Sequence, residues 1–329
     1  MKKNVALLAG GDSGEYEVSL RSAAMVEASL DRSRYDVYTI QMYGRDWSYE
    51  TGEGIKIPVD KNDFSLDIQG VKIHFDVVFM MIHGTPGEDG ILQGYFELLD
   101  IPCTCSDLFT SSLTFNKYFT NQHVRMLGII TPFSHLLLRG KKYDMESIAK
   151  DVGFPCFVKP NCGGSSLGTT RVNRKQDLKR AIDNAFAVDE QVLVEEFVDG
   201  TEVTCGLIRK GKQTLIFPLT EIVPKNEFFD YEAKYTKGMA DEITPARISQ
   251  DATLEVKRLS NFIYNKFFCK GIVRVDFILK DKEYYFLEVN TVPGMSEASI
   301  VPQQIRAAGI KESEIFTLAI ENAIAEKQA

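Results

Sequence analysis

The chain has 329 residues, of which 44% are hydrophobic and 26% are charged, so two or three domains with packed cores are expected. A net charge of −8 argues against nucleic acid as the main partner, because such partners require a basic stripe. No stretch approaches about eighteen uninterrupted apolar residues, which argues against a membrane span.

Strand and helix patterns alternate along residues 1–110. The start, MKKNVALLAGGDSGE, has too short an apolar run for a secretory signal and is expected to form the first strand. Further strands are predicted at YDVYTIQMY and FDVVFMMIHG, and helices at EVSLRSAAMVEASLD and ILQGYFELLD. This order predicts a parallel sheet covered by helices, with ligand sites at the carboxyl ends of strands, near residues 10–15 and 83–84.

Two more units are expected, at residues 111–200 and 201–329. The first would contain a helix at SSLTFNKYFTNQHVRMLG, a strand at PCFVKP, a helix around QDLKRAIDNAF and a strand at VLVEEF. The second would contain strands at TEVTCGLIR and TLIFPLTEI, a helix at DATLEVKRLSNFIYNKF and a final hairpin. The 6 cysteines form no C-x-x-C pair, so we expect them to be reduced and mostly buried.

The final hairpin, GIVRVDFILK followed by YYFLEVN, carries the most informative pattern. If the three charged residues between the strands form the loop, Asp276 lies opposite Glu288, and Arg274 lies opposite Asn290. Opposed carboxylates destabilise a hairpin unless a cation lies between them, and hard oxygen ligands select Mg²⁺ or Ca²⁺. The pattern predicts a metal site, with a charged face toward solvent as the alternative. The other face of the second strand would contain Tyr285, Leu287 and Val289.

A loop of small residues, NCGGSSLG, follows a strand that ends near Lys159. Glycines let backbone N–H groups approach a phosphate chain, hydroxyl groups donate, and the ammonium group supplies charge. The loop is not a Walker loop, because G-x-x-x-x-G-K-[ST] is absent. Lys117 is a second candidate cation. An ordinary surface turn and a solvated lysine are the alternatives.

Two other segments could serve a nucleotide. The strand VLVEEFV would offer backbone groups to an adenine, and Glu202 would offer a carboxylate to a ribose. Glu195 and Glu196 should point to opposite faces, so that only one of them meets a ligand. Residues 224–245 interleave charges and aromatic rings without a period and resemble a lid, with Lys234 and Tyr235 at its tip. A disordered segment is the alternative.

In their order and approximate spacing, these segments resemble the D-alanine–D-alanine ligases of the ATP-grasp superfamily across essentially the whole chain. The matching stretches are GGDSGEYEVSL, IHGTPGEDGILQGYFELLDIP, FNKY, VKPNCGGSSLG, VLVEEFVDGTEVT, FFDYEAKY, VRVDFIL and FLEVNTVPGMSEASIVPQQ. The resemblance implies a three-domain α/β ATP-grasp fold with a Rossmann-like N-terminal domain. It also implies ATP between the second and third domains, a cytoplasmic homodimer and a role in peptidoglycan precursor synthesis.

The resemblance implies roles for residues around ATP. Lys117 and Lys159 would bind the α- and β-phosphates, and Lys234 would reach the γ-phosphate. Two Mg²⁺ or Mn²⁺ ions would be held by the hairpin. The remaining nucleotide contacts and the metal ligands would be Glu195, Glu196, Phe197 and Val198 at the adenine, Glu202 at the ribose, and Asp276, Glu288 and Asn290 at the metals.

It also implies roles around the two D-alanine molecules. Glu15 would attract the first ammonium group and, with Ser165 and Tyr235, would latch the lid. His83 would lie near the first D-alanine. The oxyanion would be stabilised by Arg274 and the Gly294 N–H, and the carboxylate of the second D-alanine would be bound by Ser299 and the Ile300 N–H. The implied reaction forms an acyl phosphate on the first D-alanine, and the amine of the second attacks it.

Residues 295–299, MSEAS, depart from the family pattern next to the acceptor pocket. D-lactate or D-serine is therefore an alternative acceptor, although Lys234-Tyr235 is typical of the dipeptide-forming branch. Another ATP-grasp carboxylate–amine ligase and a non-catalytic binding protein are further alternatives. A nucleotide-dependent oxidoreductase is disfavoured, because Gly10-Gly11-x-x-Gly14 does not satisfy G-x-G-x-x-G.

Overall fold

The computed structural model describes residues 2–164, 167–224 and 240–328, in which helices cover sheets of α/β type. The strands are β1 Lys3–Gly10, β2 Tyr35–Tyr43, β3 Asp46–Glu50, β4 Lys56–Pro58, β5 Leu66–Ile68, β6 Val71–Ile73, β7 Val77–Met80, β8 Ser134–Leu138, β9 Cys156–Pro160, β10 Thr170–Val172, β11 Gln191–Glu196, β12 Thr201–Lys210, β13 Gln213–Ile216, β14 Thr220–Pro224, β15 Ala240–Ile243, β16 Val273–Lys280 and β17 Glu283–Asn290. The helices are α1 Tyr16–Ser29, α2 Ile91–Leu98, α3 Leu108–Phe115, α4 Lys117–Met126, α5 Met145–Val152, α6 Lys175–Phe186, α7 Gln250–Lys266, α8 Ile300–Ala307 and α9 Glu312–Gln328.

The first sheet has the order β4-β3-β2-β1-β7. Its centre is parallel, as predicted, because β1 pairs in parallel with both β2 and β7. At one edge the sheet also has antiparallel strands, because β3 pairs antiparallel with both β2 and β4. The cause is a tight turn at Gly44 (φ 54°), which sends the chain back beside β2 instead of across the sheet.

The last helix of the chain, α9, belongs to the core of this first sheet. The Phe316 ring packs edge-on against Phe79 of β7 with ring centroids 5.8 Å apart, and both rings are buried. Sequence reasoning did not identify this contact. The domain boundaries near residues 110 and 200 stay predictions.

The second and third sheets are mostly antiparallel and carry the candidate site between them. The second has the order β10-β9-β11-β8, and α5 and α6 pack over it. The third has the order β15-β14-β12-β16-β17, with β13 also paired to β12. Helix α7 packs on the third sheet through Val256, Ile263 and Tyr264, which are all fully buried. Two antiparallel sheets on either side of a candidate site agree with the ATP-grasp expectation at the level of fold class.

Two predicted elements are interrupted in the structure. The single helix predicted at 111–128 is wrong, because Asn116 is extended (φ −90°, ψ 100°) and divides α3 from α4. The Asn116 side chain accepts from the Phe119 N–H at 3.0 Å, so it caps the second helix. This break places Lys117 at the first position of α4. The strand predicted at TLIFPLTEI is likewise divided into β13 and β14 around Pro218, which has no N–H for a ladder.

The cysteines match the expectation for a reduced protein. All six are free thiols in the structure, with Cys103 and Cys162 half-buried and the others buried. Across the described ranges, we find no helix that combines the length and apolar character needed to cross a bilayer.

Candidate active site

The β16–β17 hairpin has the predicted register at its functional end. Asp276 lies opposite Glu288, and Arg274 lies opposite Asn290. The turn is shorter than predicted, because Glu283 already pairs with Lys280. A β-bulge between Asp276 and Phe277 compensates for that difference and restores the register.

The bulge also changes which side chains of β17 face the core. The prediction that Tyr285, Leu287 and Val289 share one face is wrong, because Phe286 is fully buried and Leu287 lines the cleft beside Glu288. An extra residue in one strand rotates the side chains that follow it, and strict alternation fails there. The register of Asp276 with Glu288 and of Arg274 with Asn290 is unaffected.

The side chains on this face form a compact charged centre. Arg274 donates from Nε to Asp276 Oδ1 at 2.8 Å and from Nη2 to Oδ2 at 2.7 Å. Asn290 Nδ2 donates to Asp276 Oδ2 at 3.1 Å, and Lys117 Nζ lies 3.7 Å from Glu288 Oε2. Lys117 from α4 therefore joins Arg274 as a second cation beside these carboxylates.

The donor set fits a hard divalent cation that shares its coordination with a substrate. Two carboxylates and an amide meet here, and oxygen ligands suit Mg²⁺. Within the described part of the chain, no group of three or more His, Cys, Asp or Glu residues is placed to hold a metal. A protein that supplies only two carboxylates leaves coordination positions for water and phosphate oxygens, as Mg²⁺ sites in nucleotide enzymes do.

The two predicted phosphate lysines face the same cleft. Lys117 contacts the carbonyl oxygen of Gly163 in the glycine-rich loop, and its own N–H donates to the Asn161 carbonyl at 3.1 Å. Lys159 Nζ lies 2.6 Å from Oε1 of Glu195, a carboxylate that is only 3% exposed. Both lysines lie on rigid elements, at the start of α4 and within β9.

The predicted adenine strand is only partly directed into the cleft. Glu195, Glu196 and Val198 line it, whereas Phe197 is not among its lining residues. The Phe197 ring packs beside Phe157, with centroids 5.9 Å apart, and lies under the Arg171 guanidinium. Glu196 Oε1 also accepts a hydrogen bond from the Phe133 N–H at 2.8 Å, so this carboxylate has a protein partner. Glu202 lines the cleft from β12.

At one end of the cleft, Glu15 and His83 lie beside the glycine-rich loop. Glu15 precedes α1 and is 7% exposed. A Cβ added at Gly164 would lie 2.6 Å from Glu15 Oε2, so a larger residue there would displace the Glu15 carboxylate. His83 Nε2 lies 3.0 Å from Ser22 Oγ, and Nδ1 lies 2.9 Å from the Val292 carbonyl oxygen. Burial lowers the pKa of His83, so the imidazole is neutral at physiological pH.

Glu88 is a functional candidate that sequence reasoning missed. Its carboxylate accepts from the Gly84 N–H at 2.8 Å and from the Val292 N–H at 3.2 Å. Burial, reinforced by the Glu15 charge, raises the pKa of Glu88 to about 8. Ser22 Oγ accepts from the Met295 N–H at 3.1 Å, so Ser22, His83 and Glu88 together hold residues 292–295.

The start of α8 builds the adjoining part of the cleft, since a Cβ added at Gly294 would lie 2.9 Å from Ser299 Oγ. Ser299 directly precedes this helix, and its Oγ lies 2.7 Å from Ser296 Oγ. Arg274, Gly294 and Ile300 line the same part of the cleft. The first N–H groups of a helix have no intrahelical partner and favour an anion. Sequence reasoning missed Glu242 of β15, which lines this end and accepts from Gln303 Nε2 at 2.6 Å. Burial raises the pKa of Glu242, against opposing effects of Gln303 and Arg274.

Together these residues line one cleft of about 820 Å³. All predicted site residues that the structure describes line it, apart from Phe197. Ser165, Lys234 and Tyr235 lie outside the described residues. Cations and carboxylates alternate along its walls, an arrangement suited to a metal-bound polyphosphate beside a zwitterion.

Comparisons with known proteins agree with this geometry. The family model described as D-ala D-ala ligase N-terminus matches residues 4–106, and the one described as D-ala D-ala ligase C-terminus matches residues 125–321. The D-alanine--D-alanine ligase of Bacteroides fragilis is 46% identical over 323 residues, which are 98% of this chain and 99% of that protein. The ligase of the same name from Flavobacterium johnsoniae is 44% identical over 323 residues, 98% of this chain and 100% of that protein.

Two solved ligase structures are also similar to this chain over nearly its full length. The VanG D-Ala:D-Ser ligase from Enterococcus faecalis superposes with a TM-score of 0.85 at 32% identity, covering 99% of this chain and 100% of that one. The D-alanine--D-alanine ligase from Bacillus anthracis complexed with ATP has a TM-score of 0.80 at 28% identity, covering 99% of both chains.

Proposed function

Because this chain belongs to the D-alanine–D-alanine ligase family, we propose that it joins two D-alanine molecules to D-alanyl-D-alanine with conversion of ATP to ADP and phosphate. The product is a precursor for peptidoglycan synthesis. One observation carries the proposal: in a chain that matches both family models, Asp276 and Glu288 pair across a hairpin that faces Lys117 in the cleft.

The end of the cleft with Lys117 and Lys159 would bind ATP. The lysines would neutralise phosphate oxygens, while Asp276, Glu288 and Asn290 would hold two Mg²⁺ or Mn²⁺ ions that supply the remaining positive charge. A triphosphate beside two carboxylates would otherwise be repelled. The adenine and ribose contacts are proposed for residues 195–198 and Glu202, with Phe197 contributing through its backbone because its ring lies elsewhere.

The first D-alanine would bind between Glu15 and His83. Glu15 would attract its ammonium group and leave the carboxylate free to attack the γ-phosphorus of ATP, which forms an acyl phosphate and ADP. Such transfers depend on positioning and on neutralised charge more than on covalent help from the protein. His83 is neutral and is held by Ser22 and Val292, so we assign it a positioning role beside the substrate.

The second D-alanine would bind at the start of α8, with its carboxylate on Ser299 and the Ile300 N–H. Its neutral amine would attack the acyl carbon, and phosphate would leave. Arg274 and the Gly294 N–H would stabilise the negative oxygen of the tetrahedral intermediate. Ser165, Lys234 and Tyr235 would close the site over the acyl phosphate and exclude water.

A cytoplasmic homodimer is proposed as the working form. Helices α2, α3 and α4 expose large apolar side chains, and Leu98 is 87% exposed and Phe109 67% exposed. Exposed apolar patches of this kind mark interaction surfaces. Sedimentation equilibrium of the wild type and of Leu98→Glu tests this, and a monomeric wild type would contradict it.

The decisive experiment incubates the protein with ATP, Mg²⁺ and D-alanine and follows ADP, phosphate and dipeptide. Formation of D-alanyl-D-alanine with one ADP for each dipeptide supports the proposal. Competition with D-lactate and D-serine then identifies the acceptor, because the similar VanG protein is a D-Ala:D-Ser ligase. A yield of depsipeptide or of D-alanyl-D-serine above that of dipeptide near neutral pH would reject D-alanine as the acceptor.

A further inference from the structure

Glu242 is a carboxylate at the acceptor end of the cleft to which the proposed reaction assigns no role. It lies on β15 opposite Ile222, and both side chains line the cleft. The neighbouring carboxylate, Asp241, is exposed and does not line the cleft. Successive side chains of a strand point to opposite faces, so one of two adjacent acidic residues is directed inward.

Helix α8 fixes the position of that carboxylate. Gln303 Nε2 donates to Glu242 Oε2 at 2.6 Å and also to the Ala298 carbonyl oxygen at 2.9 Å. Ala298 directly precedes Ser299, the proposed binder of the acceptor carboxylate. Glu242 is therefore held within two hydrogen bonds of the start of α8.

The helix itself is anchored to the sheet by the next residue. Gln304 is fully buried, accepts from the Gly206 N–H at 2.9 Å and donates to the Thr204 carbonyl oxygen at 3.0 Å. Thr204 pairs with Asp276 in the neighbouring strand. The position of Glu242 is thus tied to the hairpin where the acyl phosphate would form.

A zwitterionic acceptor needs two opposite partners. The start of α8 and Arg274 provide donors for a carboxylate, and a second anionic group is needed for the amine end. Glu15 is already assigned to the ammonium group of the first D-alanine. On the proposed function, the geometry points to Glu242, held by Gln303, as a specificity-determining residue that binds the amine of the acceptor and favours an amino acid over a hydroxy acid.

The test compares Glu242→Gln with the matched control Asp241→Asn, which removes the same charge from the opposite face of the same strand. Initial rates across D-alanine concentrations give separate KM values for the two sites, and competition between D-alanine and D-lactate gives the product ratio. For Glu242→Gln we expect the second KM to rise at least about tenfold and the first to change less than about twofold. The product ratio should move toward the depsipeptide by about tenfold.

Gln303→Leu is the second variant, because it removes the donor and leaves the carboxylate in place. It should raise the second KM by a smaller factor of about threefold, with an unchanged first KM. The control should match the wild type in both constants. An unchanged second KM and product ratio in Glu242→Gln would overturn the inference.

Equal rises in both constants together with a lower Tm would also overturn it, because Glu242 would then be a structural residue. A wild type that forms no dipeptide is a different result. It would refute the proposed function and, with it, the acceptor site on which this inference rests.

Discussion

The two ends of the cleft are held by different kinds of contact. Around the first-substrate end, hydrogen bonds join segments far apart in the chain, as from Met295 to Ser22 and from Val292 to Glu88. Around the acceptor end, Ser296 bonds to Ser299 within one short loop, and a single side-chain pair joins Gln303 to Glu242. At the first site, side chains bond directly to backbone groups of the loop that lines it, whereas at the acceptor site side-chain pairs hold Ser299 and Glu242 beside a helix that Gln304 anchors to β12.

Asp276→Asn tests the charged centre that both half-reactions are proposed to use. This carboxylate is 4% exposed and lies in the proposed metal site, so its loss should affect both half-reactions alike. We expect kcat to fall by about 10³-fold or more, with loss of Mg²⁺-dependent nucleotide binding. Calorimetry with ADP and Mg²⁺, alongside turnover assays, measures both effects. Turnover close to wild type would remove the hairpin from the mechanism.

Ser299→Ala addresses the acceptor end alone. It removes a donor proposed for the second carboxylate, and hydrogen bonds to charged groups are the stronger kind. The second KM should rise about tenfold or more, while the first is unaffected. A two-site fit of rate against D-alanine concentration measures this. Parallel changes in the two constants would show that the ends are not independent.

Ser22→Ala addresses the first-substrate end. It removes the hydroxyl that contacts His83 Nε2 and accepts from Met295 N–H, and so releases the loop that contains Gly294. We expect kcat to fall by about tenfold with little change in the second KM. Ser29→Ala, on the same helix, is the control, because its hydroxyl donates only locally to Met25. An unchanged kcat together with a changed second KM would contradict the assignment of this network to the first D-alanine.

Glu88→Gln should reveal the protonation state of that network. The pKa of Glu88 is raised from 4.5 to about 8, so between these values the folded protein keeps a proton that the unfolded chain releases. Its contribution to stability therefore decreases as pH rises through this window, by up to roughly 1.4 kcal/mol per pH unit. The variant should lose that dependence. Urea unfolding from pH 5 to 8 compares the two proteins, and parallel curves would show that Glu88 is ionised in the folded state.

Local patterns in the sequence determined much of the fold and the metal face. Alternation along β16 and β17 was enough to place Asp276 opposite Glu288, because strand period and pairing are short-range properties. Eight segments in family order gave the family, and the site residues inferred from them all line the cleft where the structure describes them, apart from Phe197. The helix break at Asn116 was not predicted, because the residues around it fit a continuous helical pattern. The Asn116 side chain caps α4 and so divides the predicted helix in two.

Tertiary structure decided which polar groups meet when they are far apart in the sequence. Glu88 and Val292 are 204 positions apart, and Glu242 and Gln303 are 61 apart, so neither contact leaves a periodic trace in the sequence. The second neutralising cation, Lys117, reaches Glu288 only because α4 packs beside the hairpin. A raised pKa likewise depends on burial in the folded chain, which composition does not encode. The sequence thus specified the chemical groups and their local faces, and folding specified their partners.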